Sequence, residues 1–131
     1  LIVFGDRDYT VGIKQPFSEG EYAAKLKLCN KTVVTSGTYE RYIQKDGKIY
    51  HHILDKKTGY ACETDLCSAT VISQSSLDAD ALSTVCILVG LERAKEIIEN
   101  TPDTEAVFID NDKKLHYTSG LSLKGDTITL K

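Results

Sequence analysis

The spacing of apolar residues changes twice along this chain, and that change limits the possible folds more than any other feature. Up to Ser73 the apolar residues come in short alternating or β-branched runs. From Leu77 they fall at Leu77, Ala81, Leu82, Val85, Leu88 and Val89, close to the 3.6-residue repeat of a helix. Ser75 or Ser76 is suited to cap that helix, Asp78 and Asp80 lie in or near its first turn, and Gly90 ends or kinks it. A second helical stretch over 92–100 directs Ala94, Ile97 and Ile98 inward and stops before Pro102. From Ala106 the strand period returns. Strands, a helix pair and strands again predict an α+β fold, with a largely antiparallel sheet and the helix pair packed against it.

The strand regions can be divided further. Residues 1–4 and 9–13 read as two strands joined at Gly5-Asp6-Arg7-Asp8. Residues 22–34 read as one half-exposed strand, with Leu26 and Leu28 set between lysines. The clearest hairpin covers 39–53, where arms 39–44 and 48–53 meet at Asp46-Gly47, a pair suited to the positive φ values of a type I′ turn. Residues 69–73 form a short β-branched run. After the helices, 106–109, 115–118 and 127–130 read as strands, with Asn111-Asp112 as a turn.

A chain of 131 residues fits one domain with its own core. Its net charge of -3, without a basic patch, offers no electrostatic footprint for nucleic acid. Apolar runs such as 1–4 and 85–89 fall far short of the roughly 20 residues a membrane-spanning helix takes. The chain contains no Met and opens on an apolar run without the flanks of a signal peptide, which reads as a cut through a longer protein. Cys86 fits the helical pattern as a small core residue. Cys62 and Cys67, flanking Glu63 and Asp65, leave three readings open: free thiols, a bridge, or part of a zinc site whose other ligands are not apparent.

Two groups of residues can carry chemistry. Asp80 and Thr84 stand four apart, so on a helix their Cβ atoms lie about 5–6 Å from each other on one face. Carboxylate and hydroxyl form a hard, all-oxygen pair that suits Mg²⁺ better than Zn²⁺ and leaves room for water and phosphate oxygens. The same pair also fits an acid near a helix N-terminus and a Thr bonding back to the carbonyl of Asp80. His51 and His52 fall at the end of the hairpin's second arm, where alternation turns them to opposite sides. One reading sets a His against a phosphate or an attacking hydroxyl, and the other gives it only local hydrogen bonds, with Asp55 starting a turn through Thr58-Gly59. Thr35-Ser36-Gly37-Thr38 is a small-residue joint, open to close approach by a ligand or simply a bend. No glycine-rich phosphate loop and no Ser-His-Asp order occurs.

Three stretches occur in order: Thr35-Ser36-Gly37-Thr38-Tyr39-Glu40-Arg41; Tyr50-His51-His52-Ile53-Leu54-Asp55-Lys56-Lys57-Thr58-Gly59; and Ala69-Thr70-Val71-Ile72 with Ala79-Asp80-Ala81-Leu82-Ser83-Thr84 and Leu88-Val89-Gly90. Together they resemble the TSG-x-Y-x-R, HHI-x-D-P-x-TG and TVI…ADALSTA…LG motifs of the FAD:protein FMN transferases, the ApbE family. The resemblance extends from Leu1 to about Gly120. It implies an enzyme that binds FAD with Mg²⁺, cleaves the pyrophosphate, transfers FMN to a Thr or Ser hydroxyl of a flavin-accepting target protein, and releases AMP. By motif position it implies Asp80 and Thr84 as metal ligands. It implies His52 as a catalytic and FAD-contacting residue beside the pyrophosphate or the acceptor hydroxyl, and the backbone near Leu54 as a wall of the FAD site.

The resemblance further implies an extracytoplasmic parent protein, possible lipid anchoring to a membrane, and a place for residues 1–131 as its C-terminal part. Other FAD contacts and a further metal ligand, from a D-x-x-x-x-x-KG-type segment, would lie upstream, so these residues alone are expected to transfer little or no FMN. Lys56 stands where the motif has Pro, and Ala61 where Pro is common after the TG pair, which frees φ and loosens the loop. Two readings from other classes compete: a non-catalytic flavin-nucleotide-binding or scaffold fragment, and a plain α+β interaction domain with Cys62 and Cys67 as a metal or redox feature. The retained pair Asp80 and Thr84 favours the enzyme.

Overall fold

Both apolar periods become structure in the computed structural model, which describes residues 2–3 and 5–131. In chain order the elements are β1 (Ile2–Val3), β2 (Tyr9–Lys14), β3 (Tyr22–Leu28), β4 (Lys31–Gly37), β5 (Tyr42–Lys45), β6 (Lys48–His51), β7 (Leu66–Ser73), α1 (Ser76–Val89), α2 (Leu91–Glu99), β8 (Glu105–Asp110), β9 (Leu115–Tyr117), β10 (Leu121–Lys124) and β11 (Thr127–Leu130). A five-stranded sheet runs β1-β4-β7-β8-β9, a four-stranded sheet runs β10-β11-β3-β2, and β5-β6 pair by themselves. Every pairing is antiparallel except that of β11 with β3. The α+β architecture with largely antiparallel sheets agrees with the expectation from sequence.

β7 is the axis of the fold. All eight of its residues are buried, so both of its faces must be covered. On one face Ala69 and Val71 join Ala79, Cys86 and Ile87 of α1 and Ala94 and Ile98 of α2 in one apolar cluster. On the other, Cys67 and Ile72 join Leu26, Leu28, Leu121 and Ile128 of the four-stranded sheet. A register shift between Leu66 and Ser68 lets Leu66 face the helices while Cys67 faces the second sheet. The result is three layers: helix pair, five-stranded sheet, four-stranded sheet.

Several expectations are corrected. The single strand read over 22–34 is two strands in different sheets, broken at Asn30, whose φ of 46° lies in the left-handed region that Asn tolerates. The two strands read at 1–4 and 9–13 are present as β1 and β2, β1 pairing with β4 and β2 with β3; Leu1 and Phe4 lie outside the described residues. β10 gave no distinct signal in the sequence. The face of α1 also differs. Its buried residues are Ala79, Ser83, Cys86 and Ile87, while Leu77 is 77% exposed and Ala81, Leu88 and Val89 are exposed too. Small and hydroxyl side chains of β4 and β7, Ser36 and Ala69 among them, underlie the helix, so close packing selects its small residues and pairs Ser83 with a hydroxyl.

Local signals held better. Asp46 (φ 53°) and Gly47 (φ 75°) make the hairpin turn. Ser75 Oγ caps α1 by accepting the Asp78 N–H at 3.2 Å. Gly90 (φ 80°) ends α1, and the Asp65 carboxylate accepts the Leu91 N–H at 2.9 Å to cap α2 from across the fold.

Candidate functional site

The helical half of the site follows from the Ser75 cap, which sets Asp80 and Thr84 one turn apart on α1. Asp80 is exposed and Thr84 half-buried. Among the described residues no hydrogen bond or ion pair engages the Asp80 carboxylate. Thr84 Oγ1 donates back to Asp80 O over 3.4 Å and lies 3.3 Å from Ser36 Oγ. Ser36 Oγ is 2.7 Å from Ser83 Oγ, and Ser83 donates to Asp80 O at 2.9 Å. Ser36 reaches this place because β4 alternates: Ser36, opposite Ala69, faces α1, whereas Thr35 faces the other sheet and bonds Thr70 at 2.8 Å. The parts played by Ser36 and Ser83 escaped sequence reasoning, although both sit inside the motifs.

The other half is a loop that leaves β6. His51 is buried, with Nε2 3.1 Å from Cys62 O. A carbonyl only accepts, so Nε2 carries the hydrogen and Nδ1 is a bare acceptor with no protein partner among the described residues. Burial pulls the His51 pKa below its ordinary 6.5. His52 turns the opposite way, as alternation required, and is exposed. Its Nδ1 lies 3.4 Å from Arg41 O, which in the neutral ring leaves Nε2 free and facing away from that bond. Ile53 is buried in the helix-side cluster, and Leu54 is 53% exposed and bridged to Ala61.

The missing prolines do not leave this loop open. The Asp55 carboxylate accepts the Lys57 N–H at 2.8 Å, Asp55 O accepts the Gly59 N–H at 2.8 Å, and Asp55 N donates to Tyr60 O at 2.9 Å. Gly59 supplies the positive φ, 72°, that the turn needs.

Ile53 shares its cluster with Ala79 and Cys86, so loop and helix lie on one side of the five-stranded sheet. No hydrogen bond among the described residues joins His52 or Leu54 to Asp80 or Thr84. Neither pair lines the cavity of about 750 Å³ bordered by Phe17, Tyr39 and Tyr42, nor that of about 550 Å³ bordered by Ser75 and Asp78. Cys62 belongs to the helix-side cluster and Cys67 to the cluster on the other face of the sheet, so the two thiols do not converge on a shared zinc site. Both are free, buried thiols; burial pushes Cys67, which donates to Asp110 O at 3.0 Å, up to about 11.

Comparison with known proteins adds what geometry alone leaves open. The ApbE family model matches residues 1–108. An FAD:protein FMN transferase of Klebsiella pneumoniae (strain 342) is 37% identical over 118 residues, covering 89% of this chain and 37% of that protein. Another, from Treponema pallidum (strain Nichols), is 37% identical over 115 residues, covering 87% of this chain and 32% of that protein. The crystal structure of the ApbE protein of Thermotoga maritima matches with a TM-score of 0.76 at 29% identity, over 88% of this chain and 37% of that one. The apo form of the Pseudomonas stutzeri flavinyl transferase ApbE matches with a TM-score of 0.62 at 31% identity, over 84% and 34%. The chain thus spans about a third of the length of these relatives. With 108 of 131 residues matched by the family model, and the fold shared with solved ApbE structures, the chain belongs to the ApbE family.

Proposed function

We propose that this chain is the C-terminal portion of an FAD:protein FMN transferase, in which α1 supplies Asp80 and Thr84 to a Mg²⁺ site and the loop at His52 and Leu54 borders FAD. One observation carries the reading: a carboxylate with no partner among the described residues stands one helical turn from a half-buried hydroxyl on an open face of α1. The donor set fits Mg²⁺, since both groups are hard oxygen donors and neither is sealed in an apolar interior. When bound, the ion would supply charge neutralisation at the FAD pyrophosphate.

The remaining roles belong to the chain's own groups. An acceptor Thr or Ser hydroxyl attacks the FMN phosphorus, the bond to the AMP oxygen breaks, and AMP leaves. The hydroxyl proton needs a base; His52 Nε2, left free by the contact of Nδ1 with Arg41 O, takes it. Leu54 offers an exposed apolar wall whose backbone is fixed by its bridge to Ala61. By the same family resemblance the parent protein works outside the cytoplasm on a lipid anchor. Among the described residues no helix is long and apolar enough to cross a membrane.

The test is transfer of FMN from FAD to an acceptor protein by the full-length parent, read by covalent flavin fluorescence and AMP release. Asp80→Ala is expected to lower the rate roughly 10³-fold, corresponding to the several kcal/mol such an ion contributes. Unchanged transfer in that variant, or in the presence of a chelator, would sink the reading. A second reading is a portion that binds flavin nucleotide without transfer. FAD binding without AMP release would establish it instead.

A further inference from the structure

The hydroxyls of Ser36, Ser83 and Thr84 meet between β4 and α1, and a count of their hydrogens gives that meeting a direction. Each hydroxyl carries one hydrogen and two lone pairs. Ser83 Oγ is 2.9 Å from Asp80 O, a carbonyl that only accepts, so the Ser83 hydrogen points there. Ser83 Oγ is also 2.7 Å from Ser36 Oγ, and with the Ser83 hydrogen committed, Ser36 is the donor of that bond. The Ser36 hydrogen is then used, and toward Thr84 Oγ1, 3.3 Å away, Ser36 can only accept. Thr84's other neighbour, Asp80 O at 3.4 Å, only accepts as well. Toward Thr84 both inward partners therefore act only as acceptors, sharing its one hydrogen, and neither competes for its lone pairs.

We infer that Ser36 and Ser83 are positioning residues for the cation site: a one-way hydroxyl chain keeps the Thr84 hydrogen turned into the protein and its lone pairs available beside the Asp80 carboxylate. The inference rests on the reading of Asp80 and Thr84 as cation ligands and adds two residues to it. Packing alone does not call for these hydroxyls. Ser83 is fully buried beside a layer that holds Ala69 and Ala79, small residues that carry no hydroxyl. The hydroxyls supply what alanine lacks, an orientation for a neighbour's oxygen. Loss of Ser83 has a specific consequence: the Ser36 hydrogen is released and turns to a Thr84 lone pair, in competition with the cation.

The experiment titrates Mn²⁺ into the full-length protein that carries this chain and follows the free ion by electron paramagnetic resonance, with thermal unfolding as the check on folding. Asp80→Ala is expected to remove the site. Ser36→Ala and Ser83→Ala are each expected to weaken Mn²⁺ binding about 10-fold, the scale of losing an outer hydrogen-bond partner of a ligand. If both serine variants bind within about twofold of the unmodified protein while Asp80→Ala does not bind, the positioning role is overturned and the cation site stands. If Asp80→Ala binds as the unmodified protein does, the cation reading falls and takes the inference with it. Ser36 is only half-buried, so Ser36→Ala decides the matter should Ser83→Ala fail to fold.

Discussion

The two halves of the candidate site are held by different means. The helical half lies on the five-stranded sheet, anchored by Ala79, Cys86 and Ile87 in the apolar cluster, by hydroxyl bonds to β4, and by a cap at each end. The loop half hangs on three buried side chains, His51, Ile53 and Cys62, with His52 and Leu54 exposed, and otherwise on hydrogen bonds within the loop itself. Local stability follows buried apolar contact. The role proposed for Asp80 and Thr84, holding an ion, needs the fixed place that the helix provides. The role proposed for His52, meeting a substrate and an incoming protein, gains from the thinner attachment that the loop has.

The largest expected effect breaks the weaker half. Ile53→Ala should destabilise the protein by about 2–5 kcal/mol, the range for emptying a buried Ile site. Hydrogen exchange should rise in 52–62 well before it rises in α1; equal exposure of both would show that the two halves form one unit. Gly90→Ala tests the stronger half. Its added Cβ would stand 2.9 Å from Asp65 Oδ1 at a φ of +80°, on a backbone conformation that costs a side chain about 1–3 kcal/mol. Urea unfolding should show that loss, with the helix junction disturbed and loop 52–62 unchanged.

A smaller effect comes from His51, which anchors the loop as a neutral ring. Its folded pKa lies below its unfolded 6.5, so between those values the unfolded chain binds more protons. Its contribution is complete above pH 6.5 and is lost as the pH falls toward the folded value. Stability measured across that window should decline with a slope of at most one proton, and His51→Gln should flatten it. Leu77→Ser should do least. That side chain is 77% exposed despite its place in the apolar pattern, and the change should stay within about 0.5 kcal/mol by thermal unfolding.

Much of the candidate site's local geometry could be read before the fold was known, but only in pieces. The one-turn spacing of Asp80 and Thr84, and the opposite facing of His51 and His52, follow from helix and strand periods. Two things misled the reading of α1. Its apolar residues outnumber those its partners can cover, so the stripe of Leu77, Ala81, Leu88 and Val89 imitates a core face. Its real inner face mixes Ala79 and Ser83 with Cys86 and Ile87, a pattern with little contrast. The break at Asn30 was hidden because the residues on each side of it both suit strands.

What the sequence determined by itself is what a few neighbouring residues decide: the turn at Asp46-Gly47, the cap at Ser75, the stop at Gly90, and the one-turn spacing of Asp80 and Thr84. Only the tertiary structure decided which sheet β3 and β4 each join, which side of α1 is buried, and that Ser36 meets Ser83 across a separation of 47 residues. The physical reason is that periodicity states how side chains alternate around an element. The surface an element is pressed against chooses which alternate goes inside, and that surface comes from distant parts of the chain.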